Sequence, residues 1–201
     1  MFRKLTLYIF LFCQPSALTY DTQSYTSVAL SGSAYGIIGL STLIALCYII
    51  PAIFLIQFLG RKCQVKPLVL VFALIGGFFI TGWLAGYANT FFHEWVTARL
   101  SSKNFFYRFE DAIMTPLVEE PLKLAAFIFA VYVVPTKSYK GLLLVAITAG
   151  QGFQISEDFS YILSDLPDGF SYTISGILGR TIGAVSSHWL YTSFLAMGLV
   201  L

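Results

Sequence analysis

The chain has 201 residues, 57% hydrophobic and 11% charged, with a net charge of +2 and a mean hydropathy of +0.78. A water-soluble domain carries about 25% charged residues, so this composition excludes one and points to an all-α, polytopic transmembrane bundle whose helices satisfy their own backbone in lipid. The alternation of a barrel strand is absent, and no basic patch with interleaved aromatics is present, so the bilayer is expected as a partner and nucleic acid is not.

The first segment, "FRKLTLYIFLFCQPSA", pairs a basic start with a short apolar stretch. It reads over 1–20 either as a signal peptide or as a short first span. The remainder, 34–201, reads as one membrane-embedded domain. Spans of about 20 apolar residues are expected at 34–58, 67–87, 112–134, 141–163 and 174–201, giving five or six in all. Between the second and third lies "FFHEWVTARLSSKNFFYRFE", rich in aromatics and charges, which reads as an interfacial helix on the outer surface. The chain stops at "LAMGLVL" with no charge after the last span. Either that helix ends bare or the sequence is truncated there.

Arg3 and Lys4, "GRKCQVK" (Gly60 to Lys66) and "TKSYK" (Thr136 to Lys140) fix a cytoplasmic side by the positive-inside rule. The loops near 14–33 and 164–173 have no Lys or Arg, whereas 88–111 is mixed. Cys13, Cys47 and Cys63 have neither metal-ligand spacing nor a pairing framework. Gly82-x-x-x-Gly86 and Gly179-x-x-x-Gly183 permit close helix packing.

Charge at membrane depth is confined to the last three spans. The 112–134 span carries Glu119, Glu120 and Lys123 in "VEEPLK". The 141–163 span carries Glu157 and Asp158 in "GQGFQISEDFSYIL", and the 174–201 span carries Arg180 and His188 in "GRTIGAVSSHWLYTS". Each such group costs roughly 2.5–3.5 kcal/mol on insertion, so a shared polar centre is expected. Glu119 and Lys123 are four apart and can pair. Glu120 is rotated by about 100° and can enter the bundle separately, and Pro116 and Pro121 loosen the backbone nearby. At about 1.5 Å per residue, Glu119 lies roughly 10–15 Å and Glu157 roughly 9 Å below the outer face, with His188 nearer the midplane. Arg180 is expected to meet a headgroup or a carboxylate, and Phe153, Trp189 and Tyr191 to pack.

Three carboxylates and an imidazole can hydrolyse in two ways. They can hold zinc or another divalent ion that activates water, or a buried glutamate can act directly as base with the imidazole as acid or oxyanion donor. Intramembrane carboxylates also mark ion-coupled transporters with a proton relay, although the internal repeat usual there is absent. A catalytically inactive scaffold of the same fold is the third reading.

Taken together, Glu119-Glu120-x-x-Lys123, Phe153-x-x-x-Glu157 and His188, in that order on three helices, resemble the PrsW-type intramembrane proteases. These fall within the superfamily of CAAX-prenyl and bacteriocin-processing membrane proteases. The resemblance covers roughly 67–195. It implies a bacterial cell-membrane peptidase, glutamate- or metal-dependent, cutting a membrane-anchored protein or peptide near the outer leaflet, as anti-sigma factors are cut in this family. It implies Glu119, Glu120, Glu157 and His188 as catalytic or metal-binding residues, with Lys123, Phe153 and Asp158 in support. Where the family commonly has Asn after the second-motif Glu, this chain has Asp158.

Overall fold

The computed structural model describes residues 32–101 and 104–200. The segment expected as a signal peptide or first span, with Cys13, lies outside the described residues, as does Lys103. Every regular element among the described residues is helical. α1 is Gly32–Lys62. α2, Pro67–Ile75, runs through a π-helical turn at Gly76–Thr81 into α3, Gly82–Thr97, making one rod over Pro67–Thr97. A single turn, α4 (Phe105–Arg108), precedes α5, Glu110–Val133. Then follow α6, Tyr139–Ser164; α7, Phe170–Gly183; and α8, His188–Val200. Two of these, Gly32–Lys62 and the Pro67–Thr97 rod, are long and apolar enough to cross a membrane.

Two expectations are corrected. The interfacial helix over 88–111 is not a separate element. No Gly or Pro stands between Gly86 and Pro116 to stop the helix, so residues 88–97 continue the rod, and the turn Phe105–Arg108 stands apart. The last expected span is also broken. α7 ends at Gly183, a 3-10 turn covers Ala184–Ser186, and Ser187 is extended at φ −136° before α8 begins at His188. With 14 and 13 residues, the two pieces are each about 20 Å long, short of the roughly 30 Å hydrocarbon core. They nevertheless make one descent along α6. Thr173 bonds the Asp165 carbonyl, Arg180 meets Asp158, Ser187 meets Gln154, and Ala196 lies by Leu142.

α6 is the central post, packed against α1, the α2–α3 rod, α5, α7 and α8. It buries apolar Leu144, Val145, Ala149 and Ile162 together with polar Thr148, Gln151, Gln154 and Asp158. The rod reaches it backbone to backbone at the π-turn. A Cβ on Gly77 would stand 2.0 Å from the Ala149 carbonyl oxygen, and one on Gly152 would stand 2.1 Å from that of Leu74. Of the two Gly-x-x-x-Gly pairs, the first meets α6 through Gly82 against Ser156, whereas Gly179 and Gly183 face open space.

Below the polar centre, Val69, Ala73, Phe127, Ala130 and Leu144 form one apolar cluster, and Ala45, Ile49, Ile155 and Ile177 form another beside α1. Large apolar side chains such as Phe54, Phe91, Leu117, Ile182 and Phe194 point outward. Polar groups within and bulky apolar groups without reverse the pattern of a water-soluble bundle, as a lipid-facing surface requires.

Candidate active site

α5 stays helical through Pro116 and through Pro121 of "VEEPLK", although each proline removes one backbone donor. Glu119 and Glu120 then stand one turn before Lys123. The Lys123 ammonium, 0% exposed, lies 3.3 Å from Glu119 Oε2 and 2.6 Å from Glu120 Oε1. The expected Glu119–Lys123 pair forms, but Glu120 is the nearer partner. A third contact is His188 Nδ1 at 2.7 Å, and the Phe153 ring centroid is 4.3 Å away. Three acceptors thus match the three ammonium protons.

His188 reaches this point because α8 starts there, on the far side of the break. The close approach depends on Gly150 of α6, where a Cβ would stand 2.6 Å from Trp189 Cα. The Trp189 indole donates to the Ala184 carbonyl at 2.8 Å, satisfying an acceptor that the interrupted helix leaves open. Since Lys123 can only donate, His188 Nδ1 accepts, and the ring proton sits on Nε2. That nitrogen donates to Glu157 Oε2 at 2.7 Å. The Phe153 and His188 rings meet edge-on at 4.9 Å, so Phe153 packs, as expected, but against the polar centre itself.

Glu157 Oε2 also receives the Arg180 guanidinium, so both donors converge on one oxygen and Oε1 accepts from neither. Arg180 bridges onward, its Nε 2.5 Å from Asp158 Oδ1. Its partners are therefore carboxylates. Asp158, 0% exposed, accepts further bonds from Gln154 and from the Tyr48 hydroxyl of α1. It faces away from the centre, its charge met by Arg180.

A cleft of about 340 Å³ between α3, α5 and α6 opens onto this cluster. Glu119, Glu157 and Phe153 line it together with Asn89, Ser156 and Tyr161. Glu119, Glu157 and His188 each offer one ligand atom, all within 4.8 Å of one another. Glu120 stands outside that trio. It is held through Lys123 on one oxygen and lies 3.5 Å from Thr192 on the other. Asn89, which donates to Glu119 at 3.3 Å, and Thr192, Gln154 and Tyr48 carry no mark in the sequence. A lone amide or hydroxyl in an apolar helix has no spacing that marks it.

The model for PrsW family intramembrane metalloproteases matches residues 65–201. The chain belongs to that family and is a membrane peptidase, as the three-helix motif order led one to expect. Comparisons with curated proteins and with solved structures gave no match. α1, which supplies Tyr48, precedes the matched residues.

The family description implies a metal, and the residues fit one. Two carboxylates and an imidazole are a donor set that suits zinc, and their ligand atoms converge. Charge agrees as well. When ionised, Glu119, Glu120, Glu157 and Asp158 oppose, among the described residues, the two fixed cations Lys123 and Arg180, which leaves two negative charges for a divalent cation to balance.

Proposed function

We propose that this protein hydrolyses a peptide bond of a membrane-anchored protein near the outer leaflet of a bacterial cell membrane, through a centre built on Glu119, Glu157 and His188. The observation that carries the reading is the convergence of these three side chains, from three helices, beside one cleft that Glu119 and Glu157 line. Anti-sigma-factor-like proteins are the substrate class that family resemblance suggests. Five crossings fit this reading: α1, the α2–α3 rod, α5, α6, and α7 with α8 as one broken span.

Glu119, Glu157 and His188 would hold a divalent ion, zinc being the ion their chemistry suits; to ligate it, His188 would give up its Nε2 proton, the ion taking the place of the hydrogen bond to Glu157. When bound, such an ion supplies Lewis acidity toward the scissile carbonyl and the attacking water. Glu119 is the carboxylate freest to move a proton, since its bonds from Asn89 and Lys123 are both 3.3 Å. It accepts a proton as the water oxygen bonds to the carbonyl carbon, and returns it to the departing nitrogen as the C–N bond breaks. Glu157, clamped by Arg180, orients His188. Lys123 holds Glu119, Glu120 and the Nδ1 face of that imidazole in register.

The test is release of fragments from membrane proteins co-reconstituted with the full chain in liposomes, read by mass spectrometry. Fragments present with wild type and lost with a normally expressed Glu157→Gln variant support the assignment. The same fragments in equal yield from the variant overturn it.

A further inference from the structure

The cleft beside Glu119 has a second end. Its α5 wall is a stripe of Asp111, Thr115 and Glu119, spaced four residues apart, so about 12 Å of helix rise separates the two acids. Glu119 is buried and Asp111 exposed, which puts Asp111 at the mouth. The facing walls are low, with Gly82, Ala85 and Gly86 on α3 and Ser156 and Ser160 on α6. Glu110, the neighbouring acid, is paired with His93 Nδ1 at 2.9 Å. Asp111 has no ion-pair partner among the described residues. At the inner end, Asn89 gives its NH₂ to Glu119, while its Oδ1 is buried with no partner among the described residues. An orphaned acceptor of this kind costs about 1–3 kcal/mol.

We propose that this cleft seats the substrate as an extended strand, with a lysine or arginine side chain on Asp111 three or four residues from the scissile bond. The proposal rests on the centre argued above. Twelve ångströms correspond to three or four residues at about 3.3 Å each. Extending the substrate frees its backbone N–H groups, and Asn89 Oδ1 is placed to accept one of them next to Glu119. A cation at the mouth meets the carboxylate of the stripe that has no ion-pair partner among the described residues.

The test uses the full chain in detergent micelles with a chymotryptic peptide library of a bacterial proteome, the cut sites being sequenced by mass spectrometry. Wild type is expected to enrich Lys or Arg about fivefold, the yield of an exposed ion pair, at one position three or four residues from the cut. Asp111→Asn removes that preference, and Asp111→Lys reverses it toward Asp or Glu at the same position. Because the readout is a reversal among cut sites, a general loss of fold cannot imitate it. Unchanged cation preference in Asp111→Lys, or no preference at that distance in wild type, overturns the proposal. Glu157→Gln run in parallel separates the two levels: cuts that persist there refute the assigned centre, whereas cuts lost there with unaltered Asp111→Lys selectivity refute the substrate seat alone.

Discussion

His188 Nδ1 lies 2.7 Å from the Lys123 ammonium while its Nε2 lies 2.7 Å from Glu157. The imidazole is thus held at both nitrogens by groups from two other helices, and only one tautomer satisfies both. Replacing His188 by Gln keeps a polar side chain but cannot span both partners. We expect cleavage to fall by about 10²–10⁴-fold, with yield and helicity unchanged. Retention of more than about a tenth of wild-type activity would show that the imidazole is not part of the chemistry.

Lys123 bears the structural burden of the motif. It is 0% exposed and touches two carboxylates and a histidine. Lys123→Met leaves those carboxylates buried without their cation, a loss of about 3–5 kcal/mol. Thermal unfolding in detergent should show a clearly lowered midpoint. An unchanged midpoint would mean that water, rather than lysine, compensates the acids.

Tyr48 acts from outside the residues that match the family. Its hydroxyl donates to Asp158, which holds Arg180, which holds Glu157. Loss of one bond to a charged group is about 1.5–3 kcal/mol, so Tyr48→Phe should lower kcat/KM by at least about tenfold. In an Asp158→Asn background the same change should do much less, because the two act through one chain. Equal effects in both backgrounds would separate Tyr48 from the centre.

Metal content is a separate question. One divalent ion per chain is expected by elemental analysis of the purified protein, lost in His188→Gln and in Glu157→Gln but retained in Glu120→Gln, because Glu120 stands outside the converging trio. Full cleavage by protein shown to be metal-free would reject the metal reading and leave a glutamate acting alone.

Much of this was legible in the chain. The apolar runs marked the helices, and acids and a base at membrane depth marked where they meet, since groups so costly to bury recur together only when they satisfy one another. Gly150 and Gly152 allow the close approaches at α6, but glycine is common in membrane helices, so no single one identifies its neighbour. The break before His188 was hidden because Ala184–Ser187 carry neither proline nor glycine to announce it. The reach of α3 past residue 87 was hidden because charges and aromatics in "FFHEWVT" resemble an interfacial segment whether or not the helix continues. Asp158 looked like a neighbour of Glu157, but adjacent positions on a helix point about 100° apart, and its partners on α1 and α7 lie far away in sequence.

Whether Glu119, Glu157 and His188 work as one centre is measured directly by kcat/KM for single and double variants. Groups that act as a unit are non-additive. Glu119→Gln with Glu157→Gln, assayed on one reconstituted substrate, should be no more than a few-fold worse than the poorer single variant. Losses that multiply, so that the double variant falls by the product of the two singles, would contradict a shared centre.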